Sequence, residues 1–406
     1  MPVAPVIAYI FTTFPKSTET FLQREVIGLK ELGVNIRLYS MWGGGGTFEG
    51  LPVVRFPKWK LLTLIVWLPW LVLCRPHVVG ELIQGVRTSR PVSRLNFFEN
   101  LLGLGFALIY AAHFRRERPA HIHAVWGGGP AAAAWLLWRM DGHPYSGAGH
   151  AYDLYQNGGD GWLRLKLTPA LFIRTSTEMG RRTLLEKGLP ALKIHVIRRG
   201  LNTLPVLKPL RTPRMMLRLL SVARLVPKKG LDHQLRVYAA LKAVGVAFEA
   251  RIAGEGPLHA ELQALAVKLG VAGQVTFLGH RPQAEIAAQL AWADVLLHTG
   301  VVAADGDRDG LPNVIPEAMG AGVLVLTSPA AATTEAIADD ITGLVEPVDE
   351  PVRWVEALMA LREDHALALR LQGAARAWVE QNFEARANAA RLAALYQKVI
   401  HGAAHR

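Results

Sequence analysis

Residues 305–328 read DGDRDGLPNVIPEAMGAGVLVLTS, and the interpretation of the whole chain starts from this stretch. A loop with Asp305, Asp307 and Asp309 leads into a short apolar helix that carries one acid, Glu317, and a glycine break precedes the strand VLVLTS. The start of such a helix presents main-chain N–H groups and the positive end of the helix dipole, which suits a phosphate. Asp309 and Glu317 are eight positions apart, so a loop acid and a helix acid can converge on one ligand.

Carboxylates suit sugar hydroxyls and main-chain amides suit phosphates, and a nucleotide-sugar carries both groups. The alternative for this stretch is a surface loop with solvated acids and an ordinary ion pair on the helix. The rest of the chain has to decide between the two interpretations.

Length and composition restrict the class of protein. The chain has 406 residues, which indicates two domains of about 200 residues. A hydrophobic content of 51% with 19% charged residues excludes a disordered chain. The single cysteine, Cys74, excludes an intramolecular disulfide framework and fits a reducing compartment. The N-terminal MPVAPVIAYIFTTFPK lacks the features of a signal peptide, so we expect a first buried strand there.

The net charge of +12 is unevenly distributed. Residues 1–200 contain 24 Lys and Arg against 12 Asp and Glu, whereas residues 201–406 contain 21 of each kind. An excess of positive charge favours nucleic acid, anionic lipid or phosphorylated ligands as partners. No zinc-finger spacing, RNA-binding signature or basic zipper is present, so nucleic acid is not expected as a partner.

Both halves of the chain alternate strand-like and helix-like segments, which predicts an α/β fold with parallel sheets. We expect domains at residues 1–205 and 206–380 and a closing helix at 381–406, with a linker over 201–213. Ser17 or Thr18 is the expected N-cap of the first helix. In the second half, the segments SVARLVPKKG, AGEGP, FLGH and the 305–317 loop all follow predicted strands, so they should share the carboxyl edge of one sheet.

Leu61 to Leu73, LLTLIVWLPWLVL, is the most apolar segment of the chain. As a helix it would be roughly 20 Å long, too short for the ~30 Å hydrocarbon core of a bilayer, and Pro69 is expected to interrupt it. Trp59, Trp67 and Trp70 with neighbouring basic residues suit a helix at a membrane interface. A buried helix is the alternative.

Arg224 and Lys229 are the candidate cations of the second half. They are five residues apart between a strand and a helix that starts near Gly230, and two fixed cations beside a helix N-terminus can clamp a diphosphate. Solvated surface cations are the alternative. Gly254-Glu255-Gly256 is a weak signal by itself, because any tight turn between strand and helix uses glycine. Main-chain groups near Arg281 can face a base.

Several of these motifs together resemble a known family. RLVPKKG, IAGEGPL, VTFLGH and DGLPNVIPE are similar to family 4 of the retaining, nucleotide-sugar-dependent glycosyltransferases. FPKSTETFLQREV, IHAVWGGGPAAAA and GHAYDLY resemble the colanic-acid and exopolysaccharide branch of that family. The resemblance covers most of the chain and implies the GT-B architecture, in which two Rossmann-like domains with doubly wound parallel sheets face each other across a cleft.

The resemblance also implies roles for individual residues. Arg224 and Lys229 would hold the donor diphosphate, Glu317 would bind the ribose hydroxyls, and Asp309 would contact the transferred sugar. His150, from the N-terminal domain, would lie over the donor sugar. The remaining expected donor-binding positions are Gly254, Glu255, Arg281 and the segment Gly310, Leu311, Pro312 and Asn313.

The chain departs from the family pattern at three places. The first acid of the acid–x₇–acid element is usually glutamate but is Asp309 here, and the usual proline before the end of DVLLHTG is His298. The glycine pair often found in the first βα loop is replaced by FPKST. No cofactor is expected, because two protein cations can replace a metal at the diphosphate. Asp305 and Asp307 nevertheless have the Asp-x-Asp spacing of a metal site.

The expected function is therefore the transfer of a sugar from a nucleotide-diphosphate donor to a lipid-linked or polysaccharide acceptor in cell-surface polysaccharide biosynthesis. A cytoplasmic location is expected, with the basic half peripheral on an anionic membrane surface. Two other functions fit the same fold, a nucleotide-sugar epimerase and a binding module without catalytic turnover.

Overall fold

The computed structural model describes residues 5–16, 19–88, 93–211 and 215–404. The expected N-cap at Ser17 or Thr18 lies outside these residues. The chain divides into a first unit, Met1–Asn202 with Ala385–Arg406, and a second unit, Thr203–Glu384. The last helix therefore belongs to the first unit, whereas the sequence analysis treated residues 381–406 as a separate closing element.

The first unit is built on an eight-stranded sheet with the strand order β3-β4-β2-β1-β5-β6-β7-β8. All neighbours are parallel except β3 and β4. The strands are β1 (Ile7–Phe11), β2 (Ile36–Ser40), β3 (Gly46–Phe48), β4 (Leu51–Arg55), β5 (His121–Ala124), β6 (Tyr145–Ala148), β7 (Ile173–Thr175) and β8 (Ile194–Val196).

Helices cover both faces of this sheet and include the last helix of the chain. They are α1 (Thr20–Glu31), α2 (Leu64–Cys74), α3 (Pro76–Thr88), α4 (Arg94–Glu117), α5 (Gly129–Asp141), α6 (Leu163–Leu167), α7 (Glu178–Glu186) and α14 (Ala385–Ala404). On α14, Tyr396 is buried and its hydroxyl lies 2.6 Å from that of Tyr9 in β1. This contact joins residues 387 positions apart, so no local sequence pattern predicts it.

The second unit is built on a six-stranded parallel sheet with the order β11-β10-β9-β12-β13-β14. Its strands are β9 (Leu217–Val222), β10 (Phe248–Ala253), β11 (Val275–Gly279), β12 (Val295–His298), β13 (Leu324–Thr327) and β14 (Leu344–Val345). Its helices are α8 (Leu231–Ala243), α9 (His259–Lys268), α10 (Gln283–Trp292), α11 (Val314–Ala321), α12 (Pro351–Glu363) and α13 (His365–Asn382). Every residue of β12 and β13 is buried, as expected for central parallel strands with helices on both faces.

The strand order of the second sheet fixes where a ligand is expected. From β9 the chain proceeds outward to β10 and β11 and then returns to the other side of β9 with β12. The order therefore reverses between β9 and β12, and the loops at their carboxyl ends diverge at this point. Ligands of doubly wound sheets bind at such a position.

From Thr203 onward, the segment expected to be a linker is part of the second unit where it is described, whereas Leu201 and Asn202 belong to the first unit. The main-chain N–H of Lys208 donates to the carbonyl oxygen of Ala321 at 3.2 Å, and Gln372 Nε2 donates to the carbonyl oxygen of Lys208 at 3.1 Å. Residues 203–211 therefore lie against the second unit. Residues 212–214 are outside the described part of the chain.

The apolar segment is a helix that continues through Pro69, which corrects the expectation that this proline interrupts it. Lys58–Cys74 and Pro76–Thr88 are together long and apolar enough to cross a membrane, but they bend by 100° at the break. Of single helices in the described ranges, only α4 passes the same test, and half of its apolar stretch is buried within the protein.

Candidate functional site

The expected donor-binding segments lie at the carboxyl edge of the second sheet. Residues 223–230 follow β9, residues 254–258 follow β10, residues 280–282 follow β11 and residues 299–313 follow β12. Because all these strands are parallel, the four loops lie at one edge. Arg224 and the helix that carries Glu317 follow the neighbouring strands β9 and β12, so they lie at the same edge of this unit.

Two glycines allow these loops to approach one another. Gly230 has φ +57°, and a Cβ atom there would lie 2.0 Å from the carbonyl oxygen of Thr299. Gly254 has φ +142°, and a Cβ atom there would lie 1.9 Å from the carbonyl oxygen of Ala223. Larger residues would therefore separate the β9 loop from the β10 and β12 loops.

Two lysines of the β9 loop form ion pairs with two aspartates of the β12 loop. Lys228 Nζ lies 2.9 Å from Asp307 Oδ2 and 3.5 Å from Asp309 Oδ1. Lys229 Nζ donates to Asp309 Oδ2. All four side chains are less than one-fifth exposed. Lys229 and Asp309 were predicted from the sequence, whereas Lys228, the more deeply buried lysine, was not.

The charges in this cluster shift the protonation of Asp309. Burial by itself would raise its pKa, but the charge of Lys229, with contributions from His298 and Lys228, holds the pKa well below its usual range. The carboxylate is therefore ionised at neutral pH. His298 Nε2 lies 3.7 Å from Asp309 Oδ2, and burial lowers the pKa of this histidine, so its ring is neutral at pH 7.

The start of α11 presents polar main-chain groups beside this cluster. The main-chain N–H groups of Gly310, Leu311 and Asn313 have no acceptor in the part of the chain that the structure describes. Pro312 has no main-chain N–H group, so it cannot donate a main-chain hydrogen bond to a ligand. Asn313 Oδ1 is buried and has no hydrogen-bond partner within the described ranges. Glu317 lies in the first turn of α11 and is buried.

The other expected donor-binding residues lie at the same edge. Arg224 is exposed at the end of β9. Glu255 accepts a hydrogen bond from the main-chain N–H of Leu225 through its carbonyl oxygen at 2.9 Å, and from that of His280 through Oε1 at 3.2 Å. Its peptide and side chain therefore tie the β9 and β11 loops together, which positions Gly254 and Arg281. The Arg281 guanidinium pairs with Glu285 at 3.2 Å.

The Asp-x-Asp pair is engaged in other contacts. Asp305 Oδ1 accepts a hydrogen bond from the main-chain N–H of Asp307 at 2.9 Å, and the Asp307 carboxylate pairs with Lys228. No group of three or more His, Cys, Asp and Glu side chains suited to a metal ion occurs within the described residues. Metal-independent binding of the donor stays a prediction.

His150 belongs to the first unit and directly follows β6. It is buried, and its ring lies edge-on to Trp126 with centroids 5.8 Å apart. Its Nδ1 atom has no hydrogen-bond partner among the residues that the structure describes. Burial lowers its pKa well below the usual value, and the nearby Arg199 and Arg174 lower it further. A neutral imidazole results, which can accept or donate a hydrogen bond.

A buried polar cluster near the carboxyl ends of β5 and β6 was not predicted. Lys166 Nζ pairs with Asp160 Oδ2 at 2.6 Å and donates to Asn100 Oδ1 at 2.6 Å and to the carbonyl oxygen of Gly128 at 3.2 Å. Asp153 Oδ2 accepts from the main-chain N–H of Gly127 at 2.7 Å, and burial raises the pKa of its carboxyl. These groups fix the glycine turn after β5, because they bond to its main chain.

Glu99 lies beside this cluster and is partly exposed. It accepts a hydrogen bond from the hydroxyl of Tyr152 at 3.1 Å, and burial raises the pKa of its carboxyl. Asp160 and Lys166 gave no recognisable sequence signal, since they lie in a stretch without a motif. Asp153 lies within GHAYDLY, a motif that indicated the family resemblance but not this contact.

Comparison with known proteins identifies the second unit. Residues 208–378 match the sequence profile described as glycosyl transferases group 1. The match covers less than half of the chain, so this part is similar to that family, and the resemblance drawn from the sequence motifs is confirmed.

Two curated relatives of the chain are named for exopolysaccharide biosynthesis. The amylovoran biosynthesis glycosyltransferase AmsK of Erwinia amylovora is 34% identical over 211 residues, which is 51% of each chain. The putative colanic acid biosynthesis glycosyltransferase WcaL of Salmonella typhimurium is 33% identical over 52% of this chain and 53% of its own. The chain thus spans about half the length of the curated relatives it matches.

The fold of the whole chain resembles that of solved glycosyltransferase structures. The crystal structure of Anabaena HepE in complex with UDP and glucose superposes with a TM-score of 0.71 at 16% identity, covering 97% of this chain and 100% of HepE. The expected fold class, GT-B with two Rossmann-like α/β units, is confirmed.

Proposed function

We propose that this chain is a retaining glycosyltransferase that uses a nucleotide-diphosphate sugar to extend a lipid-linked or polysaccharide acceptor of a cell-surface polysaccharide. The observation that carries the proposal is the cluster of Lys228, Lys229, Asp307 and Asp309 at the strand-order reversal of a glycosyl transferases group 1 domain. The names of the relatives AmsK and WcaL support exopolysaccharide biosynthesis, and the UDP complex of HepE supports a nucleotide donor.

The charges of the cluster suit the breaking of a sugar–phosphate bond. Cleavage leaves a nucleoside diphosphate with growing negative charge and an oxocarbenium-like sugar. Arg224 and Lys229 would neutralise the diphosphate, and the N–H groups at the start of α11 would add directed donors. An ammonium group has three donors, so Lys229 can keep its bond to Asp309 and still reach a phosphate oxygen.

The remaining residues are assigned by their chemistry. Asp309 is ionised and would accept hydrogen bonds from hydroxyls of the transferred sugar, while Lys228 keeps that carboxylate in position. Glu317 would bind the ribose hydroxyls, and Arg281 would border the base. His150 would act on the donor sugar as a neutral hydrogen-bonding group. We propose that no metal is required, because the protein supplies the cations.

The proposed location is the cytoplasmic side of a membrane. Residues 1–200 hold the whole net charge of +12, which favours an anionic lipid surface and a lipid diphosphate acceptor. Binding to anionic vesicles should therefore weaken as salt is raised. Failure to bind anionic vesicles at low salt would contradict this location.

Sugar transfer is tested with purified protein, a panel of UDP-, GDP- and dTDP-sugars and a lipid-linked acceptor extract, with products identified by mass spectrometry. One donor should give a glycosylated acceptor. Arg224→Ala and Lys229→Ala should each lower kcat/KM at least tenfold, which corresponds to roughly 1.4 kcal/mol. Arg236→Ala and Lys268→Ala, at exposed positions of the same unit, are the matched controls.

Three results would contradict the proposal in different ways. Conversion of the donor sugar into its epimer without an acceptor would indicate an epimerase. Binding of a nucleotide-sugar, seen as a rise in melting temperature, without any turnover would indicate a binding module. Wild-type rates in both Arg224→Ala and Lys229→Ala would refute the diphosphate clamp.

A further inference from the structure

An exposed apolar face on α2 has no explanation in the donor site. Half of the exposed large hydrophobic side chains in the described ranges lie between Trp59 and Leu101. On α2 and the turn before it, Leu62, Ile65 and Leu73 are 79%, 80% and 79% exposed. We call this the α2 face, and its members are Leu62, Ile65, Val66, Leu68, Val72 and Leu73.

The α2 face is one continuous stripe of a helix. Ile65, Val66, Leu68, Val72 and Leu73 follow the i, i+1, i+3, i+7, i+8 spacing that places side chains on one side. The opposite side of α2 is also apolar, but it packs on the core of the first unit through Leu71 and the partly buried Leu64, Trp67 and Trp70. The helix has no charged residue, so its outer side offers water no hydrogen-bonding side chain.

The charges around the α2 face select one class of partner. Lys58 and Lys60 precede the face and Arg75 follows it, and no acidic residue occurs from Lys58 to Gly80. Trp59 is two-thirds exposed beside the two lysines. Tryptophan and basic residues at the edge of an apolar helix face are the arrangement found at membrane–water interfaces. A surface for another protein would be expected to carry polar partners at its rim as well.

The length of α2 determines whether this helix can cross a bilayer. Eleven residues make a helix of about 16 Å, half of the ~30 Å hydrocarbon core, so α2 does not cross it. We propose that the α2 face inserts into the outer part of one leaflet of an anionic membrane, parallel to its surface, while Lys58, Lys60 and Arg75 bind the lipid headgroups. This deepens the membrane association of the proposed function and rests on it for its biological purpose.

Cys74 provides a direct probe, because it is the single cysteine of the chain and is exposed at the end of α2. An environment-sensitive fluorophore on Cys74 is followed while the full chain is titrated with vesicles of phosphatidylglycerol and phosphatidylcholine. We expect a blue-shifted, brighter emission on binding and protection of the label from aqueous quenchers. Raising the salt should weaken the binding, and a residual apolar part should remain at 0.5 M salt.

The double variant Leu68→Glu/Leu73→Glu should reduce vesicle partitioning at least tenfold, since burial of one leucine changes an equilibrium constant by about a factor of ten or more. Val244→Glu/Val267→Glu, at exposed valines of the second unit, is the matched control and should bind as the wild type does. Both doubles replace exposed residues, and circular dichroism verifies that they fold.

Three outcomes would overturn the insertion. The label could stay in water while the protein is bound to vesicles, or the Leu68→Glu/Leu73→Glu variant could bind like the wild type. The label could also become buried without vesicles as the protein concentration rises, which would assign the α2 face to a second copy of the chain. Vesicle binding is measured without donor or acceptor, and sugar transfer is measured separately. Loss of one therefore leaves the other to be judged independently.

Discussion

Asp309→Asn tests the charge cluster of the second unit most directly. The substitution keeps the size of the side chain and removes its charge. Lys229 then loses the ion pair with Asp309, whereas Lys228 keeps Asp307 at 2.9 Å. Removing one partner of a buried ion pair costs about 3–5 kcal/mol. Asparagine can still accept a hydrogen bond from Lys229 and the site is 16% exposed, so we expect a smaller loss than this, roughly 2–3 kcal/mol.

The assay is urea unfolding of the full chain at pH 7, followed by circular dichroism, with hydrogen exchange to assign the loss to the second unit. For a unit of this size the expected loss lowers the melting temperature by about 5–10 °C. Asp349→Asn, at an exposed position of the same unit, is the control and should stay within about 0.5 kcal/mol.

The lowered pKa of Asp309 also predicts how the stability difference between wild type and Asp309→Asn changes with pH. Because the folded pKa of Asp309 is lowered, its stabilisation is complete above the unfolded pKa of about 3.9 and is lost as the pH falls toward the folded value. The difference between wild type and Asp309→Asn should therefore be full at pH 7 and shrink below pH 4. Equal stability at pH 7, or a difference that is unchanged at pH 3, would refute the reasoning.

Three further predictions concern the first unit. Lys166→Met should lower the free energy of unfolding by roughly 3–5 kcal/mol, because it leaves Asp160 buried without its cation. Lys398→Met, at an exposed position, should have little effect, and equal urea midpoints for the two variants would contradict the prediction. Burial lowers the pKa of His121 to about 3, so this histidine stays neutral in the folded protein, whereas it binds a proton below pH 6.5 in the unfolded chain. The free energy of unfolding should therefore decrease as the pH is lowered, by up to about 1.4 kcal/mol per pH unit, and His121→Gln should reduce this slope in urea unfolding between pH 7 and 5. His150→Gln should lower kcat at least tenfold, which corresponds to an increase of roughly 1.4 kcal/mol in the activation barrier, while the melting temperature changes little. An unchanged kcat in a donor-saturated assay would show that His150 does not act on the donor.

Much of the second unit could be predicted because its signals are local. Each loop that carries a site residue follows its own strand within a few positions, and parallel pairing then places all the loops at one edge. The positions of Arg224, Lys229 and Asp309 followed from motifs of fewer than ten residues. Lys228 was missed because adjacent lysines look alike in sequence, and only the fold buries one of them against Asp307.

The buried polar cluster of the first unit was less predictable because its residues are held by partners that are distant in sequence. Lys166 meets Asn100 across 66 positions, and Glu99 meets Tyr152 across 53. The two possibilities for the apolar segment were a buried helix and an interfacial one. The structure shows that one side of α2 is buried and the other is exposed. The sequence could not show which side is buried, because the helix is apolar on all sides.

The α/β class, the alternation of elements, the carboxyl-edge location of the expected donor-binding segments and the resemblance to a glycosyltransferase family followed from the sequence alone. These depend on residue periodicity and on short motifs, which act over one strand and one turn. The three-dimensional fold was needed to show that α14 returns to the first unit, that Lys228 and Lys229 hold Asp307 and Asp309 of the β12 loop, and that one face of α2 stays exposed. Those features depend on which distant segments pack together. Such packing brings Lys228 and Lys229 to Asp309, which keeps its carboxylate ionised, and it leaves one face of α2 exposed.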